Sequence, residues 1–195
     1  MAPHAALAEA GADYELVRVV RDEDGRPPAA YLALNPSGRV PTLEDGQLVL
    51  TESAAIVVHI ADRFPESGLL PPLGTDARSD ALRWLFFLTN TVQPTLLHVL
   101  YPERYGTAGV EEQARSDADE LFDRIDAHLS DREWLVGDRR TGADLFLFMT
   151  SRWARHLEPK AWERPNLGPF YDRTAALSGV QRMLTETEIV ARPAP

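Results

Sequence analysis

The stretch from Asn35 to Ile60, NPSGRVPTLEDGQLVLTESAAIVVHI, constrains the fold more than any other part of the chain. Two short segments, Thr42 to Glu44 and Leu48 to Leu50, flank Asp45-Gly46, which predicts a β-hairpin. Apolar residues then fall at Ala54, Ile56, Val57, Ile60, Ala61 and Phe64, which predicts a helix over 53–64. A hairpin makes its strands antiparallel, so the sheet is mixed and is not a parallel dinucleotide-binding sheet. No Gly-x-Gly-x-x-Gly and no P-loop argues otherwise. Upstream, Pro3 to Ala12 reads as a helix stopped at Gly11. Tyr14 to Val20 alternates apolar and polar residues and reads as a strand. Ala29 to Leu34 reads as a short helix ended by Asn35-Pro36-Ser37-Gly38.

Pro65, Gly68, Pro71, Pro72 and Gly74 then mark a linker. Everything beyond it has helical spacing: Asp76 to about Tyr105 with a kink at Pro94, Val110 to Leu129, Thr141 to Leu157, Leu167 to Leu177, and Val180 to Leu184. The tail from Ala191 to Pro195 is expected to fray. The organisation is an α/β domain over 1–66, a linker over 67–75 and an all-helical domain over 76–195. With 195 residues, 44% of them apolar, the chain can bury a real core.

The formal net charge of -10 sets the surface against nucleic acid and anionic lipid. Zero cysteines rule out disulfides, thiolate metal sites and a Cys nucleophile within this sequence. The opening Met1-Ala-Pro-His4 has neither the basic nor the apolar region of a secretory signal. The longest apolar candidate, Leu82 to Leu100, is broken by Arg83, Asn90, Gln93, Pro94 and His98, so no membrane span is expected. A soluble, cytoplasmic protein is the expectation.

Two local patterns point to a ligand. If the Val40–Pro41 bond is cis, the Val40 N–H and C=O are free to pair with an extended peptide, as in strand addition; a trans proline opening a strand is the ordinary alternative. Glu52-Ser53 falls where strand meets helix. Ser53, read as the N-cap, and the helix tip suit a carboxylate, while Glu52 suits an ammonium; a plain cap with a solvated Glu is the alternative. Together they fit an amino-acid head group. In the helical half, Thr141 and Asp144 have the spacing of an N-cap answered from the first turn.

Val-Pro-Thr-Leu, a hairpin, then Glu-Ser-Ala-Ala-Ile resembles the glutathione-binding signature of glutathione transferases. Residues 2–11 resemble the first helix of bacterial members, 134–144 the family's capping motif, and Pro165-Asn166-Leu167 its closing segment. The resemblance implies a thioredoxin-like N-terminal domain, glutathione as co-substrate and a homodimer. It implies that Val40 pairs with the cysteinyl part, that Pro41 is a cis-proline, and that Glu52 and Ser53 hold the γ-glutamyl head. Arg39 lies where members place a polar side chain near the ligand, and Thr141 and Asp144 are structural. Conjugation of a small apolar electrophile, a detoxification chemistry, is the implied activity; a non-catalytic glutathione-binding or scaffold protein is the alternative.

The front departs from that pattern. The family's first strand and the loop carrying its thiol-activating Tyr, Ser or Cys have no counterpart in this sequence, which leaves Tyr14 to Val20 without a neighbour on one side; a start upstream of Met1, a domain rearranged or completed by a partner, and a fold kept without the chemistry are the three readings. His98, on the long helix, is the candidate substitute near the sulfur, with Tyr101 and Tyr105 one and two turns on; packing is the simpler reading of all three. His4, His59, His128 and His156 lack metal-binding spacing, so no metal is expected. Trp84, Phe86, Phe87, Phe146, Phe148 and Trp153 either line an apolar pocket or fill the core.

Overall fold

The computed structural model describes residues 1–106 and 109–193. Helix α1 (Ala2–Glu9) buries Ala2, Ala5 and Ala6, and the chain turns away at Gly11, whose φ of 65° is open to a residue without Cβ. Helix α2 (Ala29–Leu34) precedes the hairpin of β1 (Thr42–Asp45) and β2 (Leu48–Thr51), with Thr42 opposite Thr51 and Leu43 opposite Leu50. Gly46 makes the turn with a φ of 63°. Helix α3 (Ser53–Arg63) follows and buries Ile56, Val57, Ile60 and the Ala61 methyl.

The strand expected over Tyr14 to Val20 does not form, and Val17 and Val20 are each 73% exposed. A strand is held by a ladder, and among the described residues β1 and β2 pair only with each other. The mixed sheet expected from the sequence is here one antiparallel pair. The 14–20 segment is tied by side chains instead: the Tyr14 hydroxyl donates to Glu186 at 2.8 Å, and Arg18 reaches the Glu186 carbonyl.

The helical part comprises α4 (Asp76–Phe87), α5 (Gln93–Leu100), α6 (Val110–His128), α7 (Gly142–Trp153), α8 (Leu167–Ala175) and α9 (Ser178–Thr187). A π-helical turn, Leu88–Val92, joins α4 to α5, and the Gln93 N–H donates to the Leu88 carbonyl five residues back. The cause is Pro94, which has no N–H for the Asn90 carbonyl and whose ring crowds it. The disruption expected at Pro94 therefore takes the form of one widened turn just ahead of it.

Helix α7 is the centre of the core, with every residue from Gly142 to Ser151 buried. It packs on α1, α3, α4 and α8, and α1 also packs on α3 and α9. Gly142 permits the α3–α7 contact, because a Cβ there would stand 2.3 Å from Val57 Cγ1. Its N–H donates to the Leu69 carbonyl at 2.7 Å, which straps the proline-rich segment to the start of α7. Thr141 is the N-cap of α7 in a capping box with Asp144. The fully buried Asp144 carboxylate accepts from the Thr141 N–H at 2.6 Å, the Thr141 hydroxyl at 2.9 Å and the Leu135 N–H at 2.9 Å. Desolvation nevertheless pushes its pKa up to about 6.

At the C-terminal end the Tyr171 hydroxyl donates to the Ala191 carbonyl, so the expected fraying does not begin at Ala191. Residues 194 and 195 of that tail lie outside the described residues.

Candidate functional site

One cleft of about 830 Å³ lies between the 35–41 loop, the start of α3 and the α4–α5 wall. Its loop side is organised by Asn35, which is only 4% exposed. The Asn35 amide donates to the Arg39 carbonyl at 2.7 Å and the Thr42 hydroxyl at 3.2 Å. Its Oδ1 accepts from the Ser37 N–H at 3.1 Å and hydroxyl at 2.7 Å, an Asx turn. The Tyr31 hydroxyl donates to the same Arg39 carbonyl. Gly38, at a φ of 64°, lies against Pro27 and Leu32, and its carbonyl accepts from Arg21. The loop is thus fixed from beneath while its outer edge, Arg39 and Val40, stays exposed.

The Val40–Pro41 peptide bond is cis. Among the described residues, no intramolecular hydrogen bond occupies the Val40 N–H or C=O. Opposite stands the tip of α3. Glu52 has a φ of 67° and a ψ of 115°, outside the ordinary wells of a residue with a Cβ. Its carbonyl accepts from the Ile56 N–H at 3.0 Å, so the helix begins there. Ser53 is therefore the first helical residue and not the N-cap expected from sequence, and it makes no side-chain capping bond. Its hydroxyl is left for the cleft, as are the early N–H groups that no helical carbonyl can reach. Arg39, Val40, Pro41, Glu52 and Ser53 all line this one cleft.

His98 is not among the lining residues; its ring packs edge-on against Tyr105, with centroids 4.2 Å apart. Tyr101 lies under the Arg104 guanidinium at 4.4 Å. The packing alternative thus describes the rings of His98 and Tyr105. His59 does line the cleft, with Nε2 2.9 Å from Asp45 Oδ2. That hydrogen bond holds the Asp45 carboxyl below its ordinary range. Of the aromatic set, Trp84, Phe146 and Phe148 are core, whereas Phe86 is 57% exposed and lines the cleft. Among the described residues no group of three metal-binding side chains occurs.

Sequence reasoning missed two parts of this cleft. Asn35 and Tyr31 passed as a helix and its stop, although Asn-Pro-Ser-Gly is also an Asx-turn signal. The far wall, Leu82, Phe86, Thr89, Asn90, Gln93 and Leu97, follows a three-and-four spacing along α4 and α5. Its polar members register in the sequence only as interruptions of an apolar run.

A cis-proline hairpin and an open helix tip in an α/β half, set against an all-helical half, define a thioredoxin-like fold with a C-terminal helical partner. Residues 1–62 match the model of the glutathione S-transferase N-terminal domain, and 82–178 that of the C-terminal domain. A glutathione S-transferase of Xanthomonas campestris pv. campestris is 37% identical over 159 residues, covering 79% of this chain and 78% of the relative. A solved bacterial beta-class glutathione S-transferase of Sphingomonas chungbukensis superposes with a TM-score of 0.85 at 31% identity, over 97% of this chain and 94% of that one. A sphingomonad glutathione S-transferase complexed with glutathione gives 0.85 at 30% identity with the same coverage. This chain belongs to the glutathione S-transferase family.

Proposed function

We propose that the protein is a glutathione transferase that binds glutathione in the 830 Å³ cleft and joins its sulfur to a small apolar electrophile on the α4–α5 wall. The convergence of Arg39, Val40, Pro41, Glu52 and Ser53 on that cleft carries the reading. In it, the Val40 N–H and C=O pair with the cysteinyl backbone of the tripeptide. The Ser53 hydroxyl and the N–H groups at the tip of α3 take the γ-glutamyl carboxylate. Glu52 accepts from the ammonium on the same carbon, and Arg39 offers a cation to a ligand carboxylate. Asn35 and Tyr31 position the loop. The rate comes from holding the electrophile against the thiolate fraction of a group whose free pKa is near 8.5.

The remaining features of the proposal are a homodimer, a cytoplasmic location, a detoxifying role and two units, 1–66 and 76–195, joined by 67–75. Leu48 and Val49, exposed apolar residues of β2, favour a covered face. Sedimentation velocity on the intact chain distinguishes monomer from dimer. For the central reading, glutathione is titrated calorimetrically, and its conjugation to benzyl chloride is followed by loss of free thiol. Saturable binding and a rate above the uncatalysed reaction are expected. Unchanged affinity in Glu52→Ala would reject the head-group assignment.

A further inference from the structure

The α4–α5 wall of the cleft is apolar at Leu82, Phe86 and Leu97, but two side-chain amides interrupt it, Asn90 and Gln93. They stand three residues apart, on one side of the helix. Their surroundings free them as donors. The Thr89 hydroxyl, with one proton to give, lies 3.0 Å from the Leu85 carbonyl, 3.1 Å from Asn90 Oδ1 and 3.3 Å from the Phe86 carbonyl. The Asn90 amide nitrogen carries two N–H donors whether or not its oxygen accepts from Thr89. Among the described residues, neither those donors nor any atom of the Gln93 amide has a hydrogen-bond partner. Among the described residues no Lys or Arg lines this wall; Arg39 lies on the opposite, loop side. An apolar surface with two neutral donors and no cation suits a neutral ligand that carries an acceptor oxygen on an apolar body.

We propose that Asn90 and Gln93 make this protein selective for α,β-unsaturated carbonyl compounds, by donating hydrogen bonds to the carbonyl oxygen as it gains charge. The inference rests on the glutathione-transferase reading and names its second substrate. The glutathione thiol gives its proton to water, and the thiolate attacks the β-carbon to form an S–C bond. The C=C π pair shifts to the C–C bond next to the carbonyl, and the carbonyl π pair moves onto oxygen, giving an enolate. The amide N–H groups donate to that oxygen, which is a better acceptor in the enolate than in the enone, so they favour the transition state over the ground state. Water then supplies a proton to the α-carbon. The product is the saturated thioether, with no leaving group and no change in overall redox state. An alkyl halide of similar bulk has no such oxygen and sheds halide instead, a weaker hydrogen-bond acceptor than an enolate oxygen, so it gains less from the pair.

The test compares wild type with Gln93→Leu, Gln93→Glu and Asn90→Ala in the full chain. Gln93→Glu keeps the shape of the side chain and removes the N–H donors. Initial rates are measured with glutathione and 4-phenyl-3-buten-2-one, and separately with benzyl chloride; glutathione affinity is measured by calorimetry. The expected result is a loss of roughly tenfold or more in kcat/KM for the enone with each Gln93 variant. The benzyl chloride rate should fall by a clearly smaller factor than the enone rate and glutathione affinity should be unchanged, which also shows that the variants fold. Equal losses on both electrophiles, or no loss on either, overturn the proposal. Glutathione binding without an enone rate above the uncatalysed one overturns it too, while leaving the glutathione site standing. Absence of glutathione binding in wild type overturns the underlying function instead.

Discussion

Replacing Glu52 by alanine and by glycine separates what its side chain does from what its backbone costs. At a φ of 67° and a ψ of 115°, a residue with a Cβ is held at a cost of about 1–3 kcal/mol. Glutamate and alanine both carry that cost, and glycine does not. Glycine adds conformational freedom to the unfolded chain, which returns about 0.5–1 kcal/mol. The net expectation is that Glu52→Gly is more stable than Glu52→Ala by about 1 kcal/mol. For a chain of 195 residues that is a Tm difference of roughly 2–4 °C by calorimetry or circular dichroism. Binding should move the other way. Both variants lose a charge-assisted bond to the ligand ammonium, worth about 1.4 kcal/mol at this exposed position, so glutathione affinity falls roughly tenfold in each. A variant pair with weakened binding and raised stability in glycine alone is the signature of strain kept for a site. Glu52→Gly no more stable than Glu52→Ala would refute the backbone argument. Wild-type affinity in both would refute the ligand argument.

Other consequences follow from the same geometry. Asp144→Ala strands the Thr141 and Leu135 donors in the core and should cost about 3–5 kcal/mol, read by urea unfolding. Gly142→Ala should destabilise by about 1–3 kcal/mol through its clash with Val57, and Val57→Ala in the same chain should recover part of that loss. Asn35→Leu should weaken glutathione binding without touching any lining charge, since it releases the Arg39 carbonyl and the Ser37 turn; unchanged affinity would mean the loop holds itself. Glu186 is held down to about 2 by its hydrogen bonds from Arg182, Tyr14 and His4. A lowered carboxyl stabilises above its ordinary 4.5 and loses that contribution as pH falls toward 2, so Glu186→Gln should flatten the Tm profile in that window.

Much of this was legible in the chain because it is local. The hairpin at Asp45-Gly46, the α3 stripe from Ile56 to Ala61, the Thr141–Asp144 cap and the proline before β1 each depend on residues a few positions apart, and turn chemistry and spacing specify them. The 14–20 segment shows the limit of such reading: its alternation is a real strand pattern, but a strand exists only with a partner, and alternation carries no information about one. Ser53 moved from cap to first helical residue because Glu52, at a φ of 67°, takes the turn that a cap would have made. His98 and Gln93 differ by little in sequence, yet only Gln93 lines the cleft. Which face of a kinked helix meets a loop from fifty residues upstream is settled by packing: Pro94 widens the turn before it, α7 fixes where α4 and α5 lie, and Asn35 holds the loop that faces them. The sequence by itself determined the hairpin, the helices and the Val-Pro and Glu-Ser motifs, because those are set by near neighbours. Tertiary structure alone decided the cleft's second wall and its two free amides, because burial and closeness across the fold join residues that the chain keeps far apart.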